Sequence, residues 1–292
     1  MDLTRSRSLK ILSMVTLFVW TIFAAFPIYW TFVTAFKSPG TATSGKPKFI
    51  PWVDFDPTLE AFRGIFGRGS AFYDIDKMGD VNQLMTNSFV AAVGSATLAI
   101  LLGTGAAYAL SRFRYQKWKN RDIAFWIISQ RMFPPIALVV PFFILFNRIG
   151  ILDTIPALIL VYTGMNLPIV VWLLRDYFRD LPAELEEASM VDGSTRIGAF
   201  FRIALPLTLP GLAIAFLFAY VFAWNEFFFA FTLTFDNAKT LPVQLAGNVT
   251  TTGPRYWDIA AQALIVMIPP LIIALIAGRY IVRGLTMGAV KR

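Results

Sequence analysis

Six stretches of this chain are too long and too apolar to remain in water. Ile11–Phe36, Leu84–Ser111, Ile123–Phe146, Thr154–Leu174, Leu207–Phe235 and Ile259–Gly278 each reach at least 20 residues, and only Arg131 and Glu226 carry charge within them. At about 1.5 Å per residue, roughly 20 helical residues cross a hydrocarbon core about 30 Å thick. Inside lipid the backbone must satisfy its own hydrogen bonds, which selects helices. The chain is 57% hydrophobic and 15% charged, with a mean hydropathy of +0.61. A soluble domain of 292 residues needs more charge than that. The expected class is an all-α membrane protein with six transmembrane helices. The first run is too long for the apolar region of a cleaved signal peptide, and it reads as a retained helix.

Orientation follows from Lys and Arg. With the N-terminus inside, the inner segments 1–10, 112–122, 175–202 and 279–292 hold 16 basic residues in 63 positions. The outer segments 37–83, 147–153 and 236–258 hold 9 in 77. Basic residues concentrate on the cytoplasmic side of membrane proteins, so both termini are expected there. The net charge of +8 is spread over loops rather than gathered in a patch, which argues against nucleic acid. Three parts are expected: an N-terminal tail and first helix over 1–36, an external loop over 37–83, and a five-helix core over 84–292. Within the external loop, Asp56-Pro57 reads as a helix start.

The core contains one long charged segment, residues 180–206, on the cytoplasmic side. Asp180 reads as a helix cap, and Glu184, Glu186 and Glu187 follow where the macrodipole favours acids. Gly193 supplies a left-handed stop, and Ser194 reads as the cap of a second helix that Pro206 interrupts. The expectation is a helix-turn-helix finger beneath the membrane.

Glu187-Ala188-Ser189, three residues, Gly193, nine residues, then Ile203-x-Leu205-Pro206 resembles the EAA signature of ABC importer permeases. Ser189 stands where that signature usually has alanine. Trp224-Asn225-Glu226-Phe227 resembles the WNEF stretch of maltose-type sugar permeases, and Gly284-Leu285-Thr286-Met287-Gly288-Ala289-Val290-Lys291 resembles the ending of the same family. The resemblance implies a type I ABC importer permease fold in a bacterial inner membrane. It further implies a hairpin that couples to a separate ATPase through Glu187, Ala188, Ser189, Asp192, Gly193, Ile203, Leu205 and Pro206. Partners implied are a second, related permease chain, two ATP-binding subunits carrying MgATP, and an extracytoplasmic solute-binding protein that delivers a carbohydrate or polyol. The outer loop 236–258 is similar to one that enters the binding protein's cleft, which singles out Thr240, Pro242, Gly253 and Pro254.

Seven intramembrane residues are candidates for the substrate path: Gln130, Arg131, Tyr162, Asn166, Trp224, Asn225 and Glu226. A charge at the bilayer centre costs about 2.5–3.5 kcal/mol on insertion scales, so Arg131 must face a cavity or a partner, or snorkel to an interface. Pro134-Pro135 beside it should bend the helix. Asn166 either faces the path or bonds a neighbouring helix. Glu226 either offers sugar-binding oxygens, anchors a helix end, or pairs with Arg131. The ten small residues between Ala91 and Ala107 suit close helix packing.

The absences narrow the function. Cys and His do not occur, which excludes disulfides, Cys/His zinc sites and histidine bases within the chain. The only Gly-Lys pair, Gly45-Lys46, precedes Pro47, so no phosphate-binding G-x-x-x-x-G-K-[ST] loop is present. No cofactor or metal is expected in this chain, and ATP hydrolysis belongs on partners. The alternative is an ion-coupled secondary transporter, for which Arg131 and Glu226 are the only intramembrane charges.

Overall fold

The computed structural model describes residues 7–66, 81–246, 249–250 and 253–288. Helices dominate: α1 Arg7–Ala35, α2 Pro39–Ala42, α3 Glu60–Phe66, α4 Val81–Arg112, α5 Asn120–Ser129, α6 Pro135–Arg148, α7 Ile155–Asp180 and α8 Glu184–Val191. After these come α9 Arg196–Leu207, α10 Leu209–Trp224, α11 Phe228–Leu233, α12 Leu241–Ala246 and α13 Tyr256–Gly288. Before α13, Val249–Thr250 and Gly253–Pro254 form a two-rung antiparallel ladder. Among the described residues, four helices are long and apolar enough to span a membrane, and six spans result if each of two bent pairs counts as one.

The breaks sit where backbone chemistry demands them. The third apolar run divides at Phe133-Pro134, and the two halves meet at 85°. Pro135 opens α6, where its missing N–H costs no helical bond. Pro206, in contrast, does not interrupt its helix. The five residues before Leu205 form a wide π-turn, with the Leu205 N–H donating to the Phe200 carbonyl. That displaces the carbonyls on which a proline ring would press, and helix continues to Leu207. The bend of 72° comes at Thr208 instead.

Contacts divide the chain into two compact units, Met1–Gly79 with Leu245–Met267, and Asp80–Gln244 with Ile268–Arg292. In the first, α3 begins at Glu60, so Asp56-Pro57 precedes the helix rather than starting it. The capped N1 proline in this region is Pro39, held by Ser38. Asp54 accepts the N–H groups of Phe49 and Ile50, and the Lys37 ammonium lies over Trp30 at 4.0 Å.

In the second unit, α4 and α7 form the close-packed centre. A Cβ at Gly103 would lie 2.6 Å from Val170, and one at Gly94 2.8 Å from Ile159, so glycine sets how near the two helices come. The Thr163 hydroxyl donates across the same seam to the Ser95 carbonyl. Asn166 links α7 to the Ala219 carbonyl of α10.

An acid orders the connection between α6 and α7. Asp153, itself left-handed at φ 58°, accepts N–H groups from Phe235, Asp236, Asn237 and Ala238. Burial opposes its charge, but these four donors outweigh it and hold the carboxyl below the ordinary 3.8. A depressed carboxyl pKa stabilises the fold above the unfolded value and loses that contribution as pH falls through the folded one. Asp153→Ala should therefore cost about 1 kcal/mol, because it removes the acceptor of four N–H groups, of which only that of Ala238 is partly buried. Thermal unfolding of the purified protein checks this: the melting gap between wild type and variant should persist at pH 7 and shrink well below pH 4.

Candidate functional site

The first candidate is the hairpin of α8 and α9. Asp180 ends α7 instead of capping α8, whose first acidic turn follows Ala183 without a side-chain cap. The helix stops by a C-terminal motif that only a left-handed residue permits. Gly193 has φ +94°, its N–H donates to the Met190 carbonyl, and the Ser194 N–H reaches back to the Ser189 carbonyl. Thr195, one residue beyond Ser194, caps α9 by accepting the Gly198 N–H.

Of the eight coupling candidates, Glu187, Ala188, Asp192, Gly193 and Pro206 are exposed, while Ser189, Ile203 and Leu205 are half-buried. Beside them Val191 is 88% and Ile197 72% exposed. Apolar side chains at the tip of a charged hairpin offer area that another protein can cover.

The path candidates do not converge. Gln130 and Arg131 line a cavity of about 500 Å³ together with Trp126, Phe133, Phe142 and Met165. The Arg131 guanidinium stacks over Phe222 at 4.6 Å and donates to the Met165 carbonyl at 3.3 Å. Glu226 lies elsewhere, accepting the N–H groups of Phe229 and Ala230 at 2.9 and 3.1 Å, and so caps α11. Its carboxyl neighbours the buried Tyr162 hydroxyl, which completes no hydrogen bond of ordinary geometry. Arg131 and Glu226 form no ion pair with each other. Trp224 is buried and stacks on Tyr220, while the exposed Asn225 donates to the Val221 carbonyl.

Residues 99–287 match the model of the family described as binding-protein-dependent transport system inner membrane component. The chain belongs to that family. This permease is 36% identical to the trehalose transport system permease protein SugB of Mycobacterium tuberculosis, over 92% of this chain and 93% of that one. It is 32% identical to the trehalose/maltose transport system permease protein MalG of Thermococcus litoralis, over 97% of both. Its fold matches that of a chain from a bacterial ABC transporter involved in the import of alginate, at a TM-score of 0.73 and 23% identity, covering 96% of this chain and 99% of that one. Family and apolar helices together make it a multi-pass inner membrane protein.

On the permease's loop 236–258, Thr240 is buried and Pro242 lies in α12, close to where the Leu241 N–H donates to Ser88 of α4. Asn87 donates to the carbonyls of Asn237 and Lys239 in the same loop. Gly253 and Pro254 form one side of the short ladder. Thr251 and Thr252 of that loop, and Ala289 to Lys291 of the tail, lie outside the described residues.

Sequence reading passed over one buried cluster on the permease. Glu186, read only as a helix-start acid, is 6% exposed. It pairs with the Arg112 Nε at 2.7 Å and accepts the Tyr108 hydroxyl at 2.6 Å. Its partners lie 74 and 78 residues away, so no local pattern announces them. Only helical phase offered a hint: Glu186 and Glu187 are adjacent and must point about 100° apart.

Proposed function

We propose that this chain is a permease subunit of an ATP-driven importer for a carbohydrate or polyol, forming the path with a second, related permease. Two separate ATP-binding subunits carry MgATP and dock on the α8–α9 hairpin, and an extracytoplasmic binding protein delivers the solute. The observation that carries this reading is the exposed hairpin tip, with Glu187 outward, Gly193 left-handed, and Val191 and Ile197 uncovered. Basic residues favour placing it, and both termini, in the cytoplasm. The substrate class rests on relatives named for trehalose, maltose and diacetylchitobiose.

Reconstitution of the full complex in liposomes tests it. Uptake of labelled disaccharide should require internal MgATP and the binding protein, and should survive an uncoupler. Glu187→Lys should release the ATP-binding subunits while the permease pair stays inserted. Uptake that persists without nucleotide and collapses with the uncoupler would establish an ion-coupled transporter instead.

A further inference from the structure

We propose that Glu186 is a positioning residue that locks the hairpin to the inner ends of α4 and α7, so that motion imposed on the hairpin reaches both helices as one rigid body. This rests on the coupling reading above. Glu186 and Glu187 are neighbours, yet only Glu187 is exposed. Both Glu186 carboxylate oxygens are engaged by α4, one by Arg112 and the other by Tyr108. Arg112 also donates to the Leu181 carbonyl at 3.0 Å, which ties in the end of α7. The Tyr108 ring meets Phe178 of α7 at 5.5 Å and Phe200 of α9 at 4.6 Å. Four helices, α4, α7, α8 and α9, thus converge on one ion pair and one aromatic cluster.

The geometry decides which route a hairpin stroke takes. The covalent route into the membrane is through Thr208, where α9 and α10 meet at 72°, and a bent joint of that kind can flex. The Glu186 route has no such joint. It enters α4 at Tyr108 and Arg112, and α4 is packed against α7 at glycine positions that leave no slack. Between them these helices place Ala106, Val161, Gly164, Met165 and Pro168 on the cavity wall. A push on the hairpin therefore moves that wall directly. Arginine is needed in this arrangement because its guanidinium serves Glu186 and the Leu181 carbonyl at once, which an ammonium on a flexible stem does poorly.

The test uses the reconstituted complex. Glu186→Gln removes the charge and keeps the shape, leaving Arg112 without its buried partner; the ATP-binding subunits should copurify at the wild-type ratio, while solute carried per ATP falls about tenfold. Tyr108→Phe deletes one hydrogen bond and should cost about threefold. The chain has no cysteine and adds none of its own to the background, so spin labels at Glu184→Cys, exposed on α8, and Leu101→Cys report the hairpin-to-α4 distance. That distance should be narrow and unchanged by nucleotide in wild type, and broad in Glu186→Gln. A merely structural acid would leave it narrow in whatever protein folds. Transport per ATP within about twofold of wild type, with a narrow distance, would overturn the proposal. If Glu186→Gln does not accumulate, full coupling in Tyr108→Phe and Arg112→Lys would overturn it equally. Glu187→Lys separates the failures: subunits retained and transport normal in that variant would sink the coupling reading itself, whereas their release beside a fully coupled Glu186→Gln would sink only the lock.

Discussion

Gly193→Pro should abolish ATP-driven uptake while leaving the membrane helices inserted. The residue sits at φ +94°, and proline is confined near −65°. Proline also lacks the N–H that Gly193 donates to Met190, and it disfavours the ψ of 6° that Asp192 adopts before it. Adopting the new φ would re-aim the whole of α9 relative to α8. The cost is on the order of 3 kcal/mol or more, concentrated in the element proposed to meet the ATP-binding subunits. Space is not the constraint, since a Cβ at this position would meet nothing within 4 Å. Gly193→Asn should consequently retain most activity, because asparagine tolerates the left-handed region. Uptake and copurification of the ATP-binding subunits measure both variants. Equal activity in the two would mean that the turn does not matter.

Arg131→Ala should lower uptake by about tenfold or more without uncoupling the ATPase. A charge kept within an apolar run costs enough that it marks function by default. Here its planar face is satisfied by Phe222 and one nitrogen by the Met165 carbonyl, which leaves further donors at the cavity. Those donors suit the hydroxyl oxygens of a sugar. Arg131→Lys should be intermediate, because an ammonium cannot stack as a plane or donate in a fork. Binding-protein affinity for the solute is the control and should not change. Unaltered uptake in Arg131→Ala would assign the residue to anchoring the break before Pro134.

How much of this was legible in the sequence depends on the range of the interaction. Length and apolarity are properties of a run, and they located the spanning segments at once. Gly193 was legible because a left-handed stop between two amphipathic stretches leaves a local trace. The path of the chain at Pro206 was not, because the π-turn that absorbs the proline forms upstream of it. Glu226 shows how a local feature misleads. An acid in an apolar run suggests a binding group or a distant partner, yet its carboxylate accepts the N–H groups three and four residues on. Glu186 was the hardest, since everything that distinguishes it from Glu187 comes from α4, far off in the chain.

The α8–α9 hairpin is proposed to lie on the cytoplasmic face and to meet the ATP-binding subunits there. Val191, 88% exposed at the end of α8, is the place to ask. A single cysteine at this position in the otherwise cysteine-free chain, treated with a membrane-impermeant maleimide, reports its side directly. Labelling is expected in inverted vesicles and not in intact cells, with protection when the ATP-binding subunits are bound. Labelling from the outside of intact cells would contradict it.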